Sequence, residues 1–350
     1  MLRLMLVLTF ALLGASVSVA QGPVNDALLM HKRPAKLLSA YNLFSDPSVQ
    51  IPNEGLHPFD LQQPLFTDYA QKYRFVYMPE GSKASYDEKE AFNFPVGTVL
   101  VKTFAYPADF RKPTKNIQLV ETRLLIHQKE GWNAWAYVWN EEQTDANLKV
   151  AGKTLPVSWV DETGAVRSIQ YVVPNKNQCK GCHTYKKAFS PIGPKARNLN
   201  KNFPYTGGVQ NQLDYWVHTG LLDGVPTIKK APSIPKMDDV SAPIADRARA
   251  YLDINCAHCH RLEGPASTSG LFLTYGETNK TTWGYMKRPV AAGRGSGGLA
   301  YDIVPGDPDQ SILIFRLDSI DPGIMMPELG RTLIHDEGVE LLKEWIRQLE

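Results

Sequence analysis

Gly97-Thr-Val-Leu-Val-Lys-Thr-Phe-Ala-Tyr106 alternates along its length and stops at Pro107. A period of two in a run rich in β-branched and aromatic residues predicts a strand. The pattern spreads outward from there. Tyr73 to Met78 is a second run, and Val120 to Gln128 alternates with Val120, Thr122, Leu124 and Ile126 on one side. Glu130-Gly131 then leads into Trp132 to Trp139, which reads as the return strand of a hairpin. Leu155–Val160 and Ala165–Val173 flank Glu162-Thr-Gly164 as another hairpin. Five or six strands at this spacing argue for a sandwich or barrel-like module over residues 71–174. Trp132, Trp135, Tyr137 and Trp139 could line a groove, but aromatic residues on strands more often pack against the sheet. Residues 21–70, punctuated by Pro and Asn, read as an extended lead-in with short helices.

The chain leaves the sheet at Val173-Pro174 and meets Cys179-Lys-Gly-Cys182-His183; Cys256-Ala-His-Cys259-His260 follows later. These two C-x-x-C-H strings use all four cysteines of the 350 residues. The pattern predicts covalent haem. Two thiols add to the porphyrin vinyl groups, and the histidine beside the second cysteine serves as proximal iron ligand. Structural disulfides would not explain a histidine after each pair. A four-cysteine zinc site would need its knuckles about 15–20 residues apart, whereas 73 residues separate Cys182 from Cys256. A thioredoxin-type site would need one C-x-x-C, not two.

Haem of this kind is attached outside the cytoplasm. The N-terminus agrees: Arg3, an apolar run from Leu4 to Leu13, and Ser18-Val-Ala20 read as a signal peptide over residues 1–20. The apolar run is shorter than the roughly 20 residues that span a bilayer, and no later stretch is apolar enough. The expected mature protein is soluble and periplasmic, begins near Gln21 and has no membrane span. Composition is that of a globular protein, with 43% apolar and 21% charged residues. A net charge of +2 argues for neither nucleic acid nor a membrane surface as partner. Charge is uneven, however. Thr163–Leu213 holds eight cations and no acid, while Asp302–Glu344 holds ten acids and three cations. Either these are solvated surfaces, or they steer a redox protein partner.

Past the first motif, Gln210–Leu222 reads as a helix, and the prolines of 225–235 as a linker. Ser241-Ala-Pro243 marks a helix start, and Ile244, Ala248, Tyr251 and Leu252 share one face leading into Cys256. Gly293-Arg-Gly-Ser-Gly-Gly298 lacks a phosphate-loop pattern and reads as a loop over the haem. A last helix starts near Asp336, with Val339, Leu342 and Ile346 on one face. For the second haem, Met326, directly before Pro327, is the expected distal ligand in preference to Met325. For the first, His218 ranks ahead of Met237 and His127, and a vacant position also stays open. His258 is filler between cysteines.

Tyr251–His260, Val304-Pro-Gly-Asp-Pro308 with Ser311-Ile-Leu, and Met326-Pro-Glu-Leu-Gly-Arg331 resemble a family of exported bacterial dihaem c-type cytochromes. So do Phe94–Thr98, Glu121–Leu124, Trp139–Asp145, Gln178–His183 and Asn198–Asn200. The resemblance covers nearly the whole mature chain. It implies two covalent haems held by Cys179, Cys182, Cys256 and Cys259, iron ligation by His183 and His260, and electron transfer. It says little about substrate.

The expected fold is therefore α+β and multidomain. The β module is followed by a mainly α-helical c-type cytochrome region, comprising a first haem segment and linker over 175–235 and a cytochrome c domain over 241–350. The expected role is single-electron transfer between a redox partner, a dehydrogenase being one candidate, and a respiratory acceptor, rather than catalysis. The enzyme alternative is a dihaem peroxidase with an open first haem.

Overall fold

The computed structural model describes residues 23–350; the expected signal peptide and cleavage point lie outside these residues. Six strands form one antiparallel sheet in chain order: β1 (Leu56–Phe59), β2 (Gln71–Tyr77), β3 (Val99–Pro107), β4 (Ile117–Gln128), β5 (Gly131–Trp139) and β6 (Ala146–Leu148). Alternation sends Val99, Val101, Leu124, Ile126, Tyr137 and Trp139 to one face. There the lead-in covers them with Leu29, Leu38, Tyr41, Leu43 and Phe44. The lead-in is thus core-forming, and its helices are short.

The other face is shared. At one end Val76 and Leu100 meet Leu213 and Trp216 of α2 (Gln212–His218). At the other end Phe104, Val120, Ala136 and Val138 meet a separate hairpin, β7 (Lys153–Val160) and β8 (Val166–Val173), through Val157, Trp159, Ile169 and Tyr171. The sheet is open, with β1 and β6 at its edges, so the module is not a closed barrel. Its aromatic residues pack: Tyr137 and Trp139 are buried, Trp132 stacks on His127, and Trp135 lies under Lys176.

The expectation of a mainly helical region after the module is overturned. The protein is mostly β, with 28% strand against 21% helix. After α1 (Lys176–Cys182) and α2, only α3 (Ile244–Asn255), α4 (Ile312–Leu317) and α5 (Asp336–Arg347) are longer than one turn. No α-helix forms between Asn255 and Ile312. Gly and Pro punctuate that stretch, and turns and bridges such as Tyr285↔Ile303 carry the chain instead. The two 12-residue helices do pack together. Ala248, Tyr251 and Leu252 of α3 bury against Val339, Leu342 and Ile346 of α5. Ser241 makes no side-chain cap to α3; Pro243 occupies the N-cap position. Among the described residues no helix is long and apolar enough to cross a membrane.

Two carboxylates tie this C-terminal part to the sheet side. Asp253 on α3 accepts two bonds from the Arg197 guanidinium, each 2.9 Å, and one from the Tyr275 amide. Asp68, just before β2, accepts from the Thr332 and Leu333 amides at 2.7 and 2.8 Å. Burial pushes the Asp253 carboxyl up, but Lys195 and Arg197 outweigh it and hold it below the ordinary carboxylate range. Its stabilisation is therefore complete above the ordinary value of 3.8 and is lost as pH falls through the lower folded-state value. Asp253→Asn leaves the buried Arg197 without its countercharge and should cost about 3–5 kcal/mol, read by denaturant unfolding at pH 7.

Candidate functional site

The sheet, α1 and the α3–α5 pair enclose two adjoining cavities, one for each C-x-x-C-H motif. Cavity 1 is lined by Cys179, Cys182 and His183, with Phe59, Leu61, Leu65, Leu100, Leu125 and Ile254 as apolar walls. Cavity 2 is lined by Cys256, Cys259, His260 and Met326, with Leu271, Leu273, Ile312 and Leu313. Cys182, Asn255, His258, Leu317, Pro327 and Leu329 line both, so the two share a wall. Cavity 2, at about 700 Å³, is the size of an ordinary small-molecule pocket; cavity 1, at about 210 Å³, is tighter.

Local sequence explains how each motif is presented. Asn175 and Gln178 form a reciprocal capping box that starts α1 directly after β8, so Cys179 follows the strand within one turn. The helix ends at Cys182, and His183 occupies the C-cap position. The His183 Nδ1–H donates to the Ser190 carbonyl at 2.9 Å, and Phe189 stacks on the ring at 5.3 Å. A carbonyl can only accept, so Nδ1 carries the proton and Nε2 keeps its lone pair. The second motif closes α3. Ser269 gives its hydroxyl proton to the Ala266 carbonyl and lies 3.3 Å from Nδ1 of His260, whose N–H therefore donates to it. Burial pushes both imidazoles down to about 4. At neutral pH each is uncharged, with Nε2 as its open acceptor, which is the state a metal-ligating histidine requires.

The thiols differ. Burial raises Cys256 to about 12 and also raises Cys179. The ligand atoms of Cys182, His258 and Cys259 all lie within 4.8 Å of one another. A bond from the Cys259 thiol holds Cys182 low and pushes Cys259 up. In addition, the His258 Nδ1 is buried without a hydrogen-bond partner among the described residues. His258, expected only as filler, thus stands on the wall between the cavities.

The candidate distal residues separate clearly. Met326 lines cavity 2, whereas neighbouring Met325 is buried beside it and lines neither cavity. Arg331 fixes the Met326 segment. Its guanidinium donates to the carbonyls of Met326 (2.8 Å), Ser319 (2.9 Å) and Leu333 (2.9 Å). His218 is not brought to either cavity: its side chain is 78% exposed, 3.7 Å from Asp214 one helical turn back. Met237 packs at the edge of the α3–α5 core, and the His127 Nδ1–H donates to the Phe94 and Pro95 carbonyls. The histidine that does reach cavity 1 from the C-terminal side is His335. It is stacked on Phe66 at 4.1 Å and bonded through Nδ1 to the Tyr251 hydroxyl at 3.1 Å. No sequence signal marked it, because its position depends on Asp68 holding Thr332 and Leu333.

The charged stretches also resolve. Lys195 and Arg197 are buried beside Glu90 and Asp253, Arg167 pairs with Asp161, and Lys201 with Asp60. Lys180, Lys186 and Lys187 remain exposed next to the first motif. Many of the acids are matched: Asp302 by Lys287, Asp318 and Glu340 by Lys343, Asp321 by Arg294, and Glu344 by Arg347.

The donor set fits a covalently held haem at each motif: two sulfurs, one neutral imidazole with an open Nε2, and an apolar lining. Comparison with protein-family models, with curated proteins and with solved structures finds no match.

Two substitutions separate the Met326 clamp from the exposed histidine. Arg331→Met strands buried carbonyls and should destabilise by about 1–3 kcal/mol, while His218→Ala should stay within about 0.5 kcal/mol, both read by thermal unfolding.

Proposed function

We propose that this protein is an exported dihaem c-type cytochrome that passes single electrons between a redox partner and an acceptor. The observation that carries the reading is the meeting of the two motifs. Although far apart in the chain, they line adjoining cavities, with Cys182 on the common wall and the Cys259 sulfur within 4.8 Å of its own. Bound haem iron supplies one-electron chemistry by cycling between ferric and ferrous states. The chain's own residues do the rest. Cys179, Cys182, Cys256 and Cys259 would tether the two groups, and His183 and His260 would offer Nε2 to the irons. Met326, fixed by Arg331, would offer a thioether to the second. Such a soft sulfur favours the ferrous state and raises the potential. Lys180, Lys186 and Lys187 give a basic exposed surface beside the first motif, suited to steering an acidic partner. The resemblance of the motif-flanking segments to exported dihaem cytochromes supports the same reading.

One observation favours a second reading. Cys182, His258 and Cys259 form a compact two-sulfur, one-nitrogen cluster of the kind a soft metal ion takes. The separation between the two C-x-x-C pairs in sequence therefore no longer argues against a metal. That cluster leaves out Cys179, Cys256, His183 and His260, and so accounts for less of the site.

The purified mature protein should give two c-type haems per chain by pyridine haemochrome assay. One or none, with zinc or copper present by elemental analysis, would favour the metal site. Met326→Ala should lower one of the two midpoint potentials and change the visible spectrum of that haem only, as followed by spectroelectrochemistry.

A further inference from the structure

The face of the sheet below cavity 1 carries a row of cations where its neighbours are apolar. Register places Arg74 on β2 opposite Lys102 on β3, and Lys102 opposite Arg123 on β4. Like charges directly opposite on adjacent strands destabilise a sheet, and here Arg74 is buried while Lys102 and Arg123 are half-buried. The row lies between the Leu100–Trp216 cluster at one end and the Phe104–Tyr171 cluster at the other. All three side chains line cavity 1, as does Arg331, and among the described residues no Asp or Glu lines it; cavity 2 by contrast has Asp302 and Glu328 on its wall against Arg316.

The row is only partly neutralised from within. Arg123 pairs with the buried Glu121 at 2.7 Å, and Arg74 with Asp60. Nη2 of Arg74 remains buried without a hydrogen-bond partner among the described residues, on a side chain only 5% exposed. Lys102 lies 4.7 Å over the Phe104 ring, and among the described residues no carboxylate is within ion-pair distance of it. Burial, together with Arg74, Lys72 and Arg123, pushes its ammonium well below the ordinary lysine range. An unpartnered guanidinium nitrogen and an unmatched ammonium, side by side in an acid-free cavity, make a site built for carboxylate groups that the polypeptide does not supply.

We propose that Arg74, Lys102 and Arg123 bind the propionate carboxylates of the haem tethered at Cys179 and Cys182, and that the row raises the potential of that haem. The proposal rests on the dihaem reading above and names the residues that serve its first site. Cations near an iron disfavour the ferric charge, so removing one should lower the potential.

The test uses the full exported protein with both haems in place. Lys102→Met keeps length and apolar bulk but removes the charge. It should lower one midpoint potential in a spectroelectrochemical titration, leave the other unmoved, and leave haem content and spin state as in the wild type. Lys102→Arg should restore the potential. If Lys102→Met does not mature, Arg74→Gln is read the same way. Unchanged potentials in a protein that carries two haems would overturn the proposal alone. So would a change in spin state, which would make Lys102 an axial ligand instead. A wild-type protein without haem would remove the dihaem reading and the proposal together.

Discussion

The contact between Cys182 and Cys259 constrains the rest of this structure. Their sulfurs and the His258 ring stand within 4.8 Å of one another, although one motif leaves a β-hairpin and the other closes a helix. To hold that contact, a C-terminal helical pair must be fixed against a sheet with which it shares no strand. Asp253 with Arg197 does so on one side, and Asp68 with Thr332 and Leu333 on the other. The cavities are the spaces these ties leave between apolar clusters. Their shared wall is what would make them two stations of one path rather than two independent sites, because electron exchange falls steeply with distance.

Charge is arranged differently around the two cavities. Around the first, buried and half-buried cations from three neighbouring strands outnumber their carboxylates; around the second, acids and a cation share the wall. The first arrangement costs the sheet stability unless an anion completes it. A fold that keeps like charges opposite one another in its interior is spending stability on a site. The exposed lysines beside the first motif would act at longer range, on a partner's approach rather than on an iron.

Much of this was legible in the sequence. Alternation from Gly97 to Tyr106 and from Val120 to Ile126 found the central strands, since a half-buried strand must alternate. The C-x-x-C-H strings marked the residues that line both cavities, because two sulfurs and a histidine at fixed spacing are a local property. Met326 was separable from Met325 by its proline. The helical content was not legible: residues 256–311 lack α-helix because Gly, Pro and side-chain-bonded turns satisfy the backbone there, and the periodicity of α3 and α5 does not extend across them. His218 looked suitable on a helix face, yet only tertiary packing decides which histidine meets a cavity, and it chose His335 through Asp68. Lys102 sat unremarked in the most strand-like stretch of the chain, since its meaning lies in Arg74 and Arg123 across the sheet.

Peptide mapping of the purified chain by mass spectrometry tests the central claim most directly. The account predicts two modified peptides, one containing Cys179 and Cys182 and one containing Cys256 and Cys259, each heavier by one haem. Unmodified thiols, a disulfide or a bound metal ion at these positions would contradict it.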